Sequence, residues 1–211
     1  MSLYDLFCSY VSFLMAIIGC QMFLGYLAKT YASDCIEAND LLDKEGKIIF
    51  NPLKYFDLLG TIVLPLLMLV FQAPILFGWS KSPWLNMPKV VRHYGWNLAI
   101  LLASGGVFFH FFVAFFASVL HSSVSSKGIN FFLEYLIVLN VFFAIVKLCP
   151  VLPCDGLRIL SYVGLKFGND TIMYFYWRLA PYGILILIVI GMTPLKQIIY
   201  VPVSAVLNFL L

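Results

Sequence analysis

Apolar residues along this chain come in long blocks separated by short polar interludes, without the alternation of a half-buried strand. A helix needs about 20 apolar residues to cross the hydrocarbon core of a bilayer. Residues 6–28 meet that length, with Gln21 as the most polar member. Residues 58–77 form a second apolar run holding Pro65 and Pro74. Proline removes a backbone donor, so this run predicts a bent or partly broken helix. Residues 96–120 and 129–148 predict a third and a fourth span, and residues 172–192 a fifth. Residues 197–211 predict a short interfacial helix or a partial crossing.

The interludes differ in character. Residues 29–57 hold Asp34, Glu37, Asp40, Asp43, Glu45 and Asp57. Within them, Gly46-Lys47-Ile48-Ile49-Phe50-Asn51-Pro52 predicts an extended segment or hairpin edge outside the lipid, closed by a proline turn. Residues 78–95 are basic (Lys81, Lys89, Arg92) and rich in Trp and Tyr, as suits the water–lipid interface. Residues 157–170 read as an amphipathic interfacial segment.

Composition sharpens this picture. The 211 residues are 63% hydrophobic and only 11% charged, against about 45–50% and about 25% in a soluble domain. That excludes a soluble globular enzyme and a disordered chain. Thirteen Lys and Arg against ten Asp and Glu, with no basic cluster, argue against nucleic-acid binding. Unalternated apolar runs disfavour a β-barrel. The expectation is a single all-α polytopic membrane domain over residues 1–211, with four to six transmembrane or interfacial helices and a small β-like segment after the first. The first run is too long for a signal h-region and has no basic start, so it reads as a retained helix. The five cysteines suggest small packing residues rather than a disulfide framework. Lys and Arg divide evenly between alternate loops, so no orientation follows.

The turn after the fourth span, Cys149-Pro150-Val151-Leu152-Pro153-Cys154-Asp155-Gly156, is the most informative local feature. Its prolines stop the helix, and Gly156 permits a positive φ in a sharp turn. An ionised Asp near the hydrocarbon centre costs about 2.5–3.5 kcal/mol on insertion scales. Asp155 therefore either lines a polar site between helices or sits in an interfacial loop in water. His110 and His121 share a helix face about 16 Å apart and cannot hold one ion together. His110 reads as a hydrogen-bonded interior residue, with a metal role beside Cys20 or Asp155 as the rarer option. Cys149 and Cys154 read as packing residues, a zinc or redox pair being the rarer option. Lys147 is expected to snorkel and Glu134 to lie near the interface. The Phe108–Phe116 cluster reads as lipid contact and packing, and Ser104-Gly105-Gly106 as a close helix approach.

Four blocks resemble one known family. Gly46-Lys47-Ile48-Ile49-Phe50-Asn51-Pro52-Leu53-Lys54-Tyr55-Phe56-Asp57-Leu58-Leu59-Gly60-Thr61 is similar to the "GRLTLNPLKHIDPLGT" block of the site-2 proteases, which are intramembrane zinc metalloproteases. Phe77-Gly78-Trp79-Ser80-Lys81-Ser82-Pro83-Trp84-Leu85-Asn86 resembles "FGWAKPVPVN", Ala103-Ser104-Gly105-Gly106 stands where the family has "LAGP", and residues 147–156 resemble "NLLPIPPLDG". The blocks agree in order and spacing over residues 12–165. That family's zinc is held by the two His of HExxH and by the Asp of "LDG", with the Glu as general base. The resemblance places Cys20-Gln21-Met22-Phe23-Leu24 on the HExxH positions and Asp155 on the third ligand. Cys20 and Leu24 stand at the lost His positions and Gln21 at the general base. Leucine binds no metal, and Gln21 accepts no proton at neutral pH. Lys147 replaces an Asn, Gly106 a Pro, Tyr55 a His and Leu58 a Pro, and Phe109 stands near the place of another Asn.

The resemblance implies a non-catalytic homologue, with no cofactor, that binds a transmembrane or extended peptide client through the edge at residues 48–51. Lipid bilayer is its other partner, and a bacterial inner membrane its expected place. The alternative is an active zinc peptidase using Cys20, Asp155 and a third ligand such as His110. A small transporter or channel is the third class, and no internal repeat favours it.

Overall fold

A computed structural model describes residues 3–37, 39–71, 76–150 and 154–211. The protein is all-α, and three of its helices are long and apolar enough to cross a membrane. The first, α1 (Leu3–Tyr31), carries Asp5 in its first turn and Lys29 in its last, each favourable to the helix dipole. At 1.5 Å per residue its 29 residues span about 44 Å.

Among the described residues, the second apolar run gives a helical element shorter than a span. A π-helical stretch, Leu58–Val63, leads into α2 (Leu64–Val70). The Asp57 carboxylate accepts from Gly60 N at 2.7 Å, and Asp57 N donates back to Thr61 Oγ1 at 3.1 Å. Thr61 Oγ1 in turn donates to Trp79 O at 2.9 Å. Gly78 packs so closely on Gly60 O that a Cβ there would lie 2.1 Å from it. The two resembling blocks, 46–61 and 77–86, thus lock together at this wide turn. The expected break is present, and Pro74 lies outside the described residues.

α3 (Met87–Ser123) begins with an Asn86 cap accepting from Lys89 N at 2.9 Å. It breaks at Gly95, whose φ of 81° only glycine adopts readily. The long apolar rod therefore starts at Trp96, as its apolar run predicts. α3 is the hub, packing on α1, α4 (Lys127–Leu148) and α5 (Asp155–Lys166). α5 ends on Gly168 at φ 77°, with Asn169 N bonded to Gly164 O at 2.9 Å, closing the last turn.

The segment read as a fifth span is helical in consecutive pieces, none of which alone is long enough to cross a membrane. Residues 172–192 fall into α6 (Thr171–Leu179), a 3₁₀ turn at Ala180–Tyr182 and α7 (Gly183–Met192). Pro181 has no N–H to continue the helical ladder. α8 (Gln197–Leu210) follows and packs on α4.

The expected β-like segment shrinks to two isolated antiparallel bridges, Leu42 with Ile48 and Ile36 with Leu85, and no strand forms among the described residues. A turn at Gly46, φ 75°, joins the first pair. The second ties the chain after α1 to the segment before α3, with Glu37 N on Trp84 O and Asn86 N on Cys35 O, each at 2.9 Å.

Candidate functional site

Small residues on α3 let α1 come close. A Cβ on Gly105 would lie 2.9 Å from Leu24 Cδ2, and one on Gly19 2.8 Å from Phe109. At the next position the contact turns polar. A Cβ on Gly106 would lie 3.4 Å from Cys20 Sγ and 3.2 Å from Lys147 Nζ. Cys20 is buried, and its thiol points at Gly106 O, 3.9 Å away. Gln21 Oε1 is buried and accepts no hydrogen bond from the described residues.

From the other side come α4 and α5. Asp155 opens α5, where the helix dipole favours a carboxylate. It is buried, which removes the reading of an interfacial loop in water. Its Oδ2 accepts from Lys147 Nζ at 3.0 Å, and its Oδ1 is paired with Arg158. Lys147 therefore points inward, a correction to the snorkelling expected of it. An apolar helix end gives no sign of a carboxylate eight residues on that folds back onto it. The turn residues Val151, Leu152 and Pro153 lie outside the described residues.

Gly156 is also there for a different reason than expected. It has no positive φ among the described glycines. A Cβ on it would lie 2.1 Å from Leu148 O and 2.8 Å from Cys149 O. Close backbone approach, rather than left-handed geometry, demands glycine.

The other candidates sort plainly. His110 is fully buried, stacks on Phe143 and bonds Asn140 Oδ1 through Nδ1 at 2.8 Å; Asn140 Nδ2 donates on to Leu136 O at 2.8 Å. That is the interior pairing expected of it. His121 pairs with the partly exposed Glu134 at 3.2 Å. Cys149 and Cys154 are buried free thiols. Tyr55, where the resembling block has His, is wholly buried with its hydroxyl beside Gly25. Phe108, Phe112, Phe115 and Phe116 are exposed on α3, the place of lipid.

Cys20 and the Lys147 that holds Asp155 thus meet at Gly106, with Leu24 one turn along α1 against Gly105, and this donor set does not fit a hydrolytic zinc. Leu24 offers no donor atom. Both carboxylate oxygens of Asp155 already hold a cationic group, giving one negative and two positive charges. Among the described residues, no three His, Cys, Asp or Glu donors gather here; the group that does gather is Asp34, Cys35 and His93.

Comparison with known proteins gives one distant relative. The chain is 25% identical over 172 residues to a Bacillus subtilis (strain 168) protein described as "Putative zinc metalloprotease YwhC". The match covers 78% of this chain and 73% of that protein. No family model matches the chain, and no solved structure matches it.

Proposed function

We propose that this protein is a non-catalytic member of the site-2 protease group, a pseudoprotease that keeps the scaffold and binds a transmembrane or extended peptide segment. One observation carries the reading: Lys147 and Arg158 hold the Asp155 carboxylate, the acid that the resemblance makes a zinc ligand. The four blocks in order and the similarity to a described zinc metalloprotease support the group. The relative's bacterial source supports a bacterial membrane as its place.

The client surface follows from the exposed positions. Phe50, Asn51 and Leu53 stand open beside the Leu42–Ile48 bridge, where an extended peptide adds backbone pairs. Arg158 also lines a cavity of about 670 Å³ with Glu37, Trp96, Tyr162 and Tyr176. Peptide contact is therefore drawn to the surface side of the junction.

The test is metal analysis and cleavage with the purified full chain in micelles. The probe is a synthetic transmembrane peptide carrying a fluorophore and quencher. The expected result is no zinc that depends on Asp155 and no cleavage. Zinc that disappears in Asp155→Ala, together with cleaved peptide, establishes the active peptidase instead.

A further inference from the structure

A second polar cluster lies away from the Asp155 junction, where α1 ends and α3 begins. The 3₁₀ turn Ser33–Cys35 follows α1 directly. It places Asp34 and Cys35 against Lys89, His93 and Tyr94 on the first turns of α3. His93 Nδ1 is 3.0 Å from Asp34 Oδ2, and Cys35 Sγ is 3.6 Å from Asp34 Oδ1. One donor atom from each of Asp34, Cys35 and His93 lies within 4.8 Å of the other two.

We propose that Asp34, Cys35 and His93 form a binding site for a zinc-type divalent ion that clamps the end of α1 to the start of α3.

The donor chemistry selects the ion. A thiolate, an imidazole and a carboxylate together suit zinc and disfavour magnesium and calcium, which prefer oxygen alone. With bonds of about 2.3 Å to sulfur and about 2.0 Å to nitrogen or oxygen, tetrahedral ligands stand roughly 3.3–3.6 Å apart. The three donor atoms stand within 4.8 Å of one another, so closing on one ion needs side-chain shifts of up to roughly 1.5 Å.

The two ligand-bearing segments are already fixed relative to each other. Asn86 N bonds Cys35 O at 2.9 Å, and Ile36 bridges Leu85. Tyr94 donates its hydroxyl to Asp34 Oδ1 at 2.7 Å, an outer contact that orients the carboxylate. In the metal-free arrangement hydrogen bonds from Tyr94 and His93 hold the Asp34 carboxyl down to about 2; on binding, His93 Nδ1 gives up its bond to Asp34 and the imidazole carries its proton on Nε2. Cys35 is buried while Asp34 and His93 are partly exposed, leaving one side for a water as fourth ligand.

Charge balances as well. Binding replaces the thiol proton of Cys35 with the ion and releases that proton to solvent. The thiolate and the Asp34 carboxylate then neutralise a divalent cation. Lys89 Nζ, 3.7 Å from Asp34 Oδ2, is the cation of the metal-free arrangement and moves away.

The experiment strips the purified full chain with a chelator, reloads it with zinc or cobalt, and removes the excess. One zinc per chain is expected, lost in Cys35→Ser and in His93→Gln and kept in Asp155→Ala and Cys20→Ala. The cobalt form should show a near-ultraviolet thiolate charge-transfer band that Cys35→Ser abolishes. Lys89→Met should bind severalfold more tightly, because the competing ammonium is gone. His93 is partly exposed, so His93→Gln tests the site without touching the core. A wild-type chain holding no more zinc than Cys35→Ser overturns this site and leaves the pseudoprotease reading standing. Zinc that follows Asp155 and ignores Cys35 overturns both.

Discussion

Replacing Lys147 with methionine keeps most of the side chain's volume and removes its charge. The Lys147 and Asp155 side chains are 25% and 11% exposed, so solvent screens them only in part. At 3.0 Å their gross attraction is about 5.5 kcal/mol at an effective dielectric constant of 20. Desolvation offsets much of that, and removing one partner of a buried pair typically costs about 3–5 kcal/mol. Arg158 stays on the other oxygen of Asp155, so Lys147→Met should fall below that range, at roughly 1–3 kcal/mol. Asp155→Ala should cost more, because it leaves two cations with no anion between them. Thermal unfolding in detergent should therefore rank wild type above Lys147→Met above Asp155→Ala. The Lys147→Met/Asp155→Asn double variant should recover part of the summed loss, since no uncompensated charge remains beyond Arg158. An unchanged melting temperature in Lys147→Met, with zinc raising that of wild type only while Asp155 is present, would refute the ion network. Such a result would mean that Lys147 points away and Asp155 serves a metal.

Restoring Cys20→His, Gln21→Glu and Leu24→His alone should not restore Asp155-dependent zinc, because Lys147 still holds the carboxylate; adding Lys147→Asn should raise zinc retention, read by metal analysis. Asn140→Leu should destabilise by about 1–3 kcal/mol by stranding the buried His110 Nδ1, whereas His110→Phe with Asn140→Leu should come close to wild type in thermal unfolding. Gly78→Ala drives a Cβ to 2.1 Å from Gly60 O and should abolish folded protein on size-exclusion chromatography. Gly46→Ala meets no atom within 4 Å and should cost only about 1 kcal/mol, from its positive φ.

What the sequence made legible follows the range over which each cause acts. The spans at α1, α3 and α4 could be read because lipid imposes a length on an apolar run. The break before Trp96 could be read too, since a polar, glycine-bearing interlude ends there. The inward turn of Lys147 could not, because it depends on Asp155 folding back across a loop from a different helix. Pro181 was in plain view, yet the apolar length of residues 172–192 outweighed it as a signal. The Asp34–Cys35–His93 cluster has no periodicity or motif spacing. It exists because the Ile36–Leu85 bridge brings two distant interludes together, and backbone pairing outside regular strands leaves almost no trace in residue types.

Electrostatics accounts for a buried carboxylate at Asp155 beside Lys147 and Arg158. A buried acid at a helix start is stabilised in part by the dipole, but the dipole's half-charge does not match a full negative charge taken out of water. A second positive charge is required, and zinc between two imidazoles is one way to supply it. Here Gly106 leaves room beside Cys20, where a Cβ would crowd Lys147 Nζ at 3.2 Å. An ammonium entering from α4 and a guanidinium from α5 then provide the countercharge from the protein itself. The arrangement needs Asp155 as much as a metal centre would. The identity of the cation beside the acid at this turn therefore decides the chemistry the turn can support.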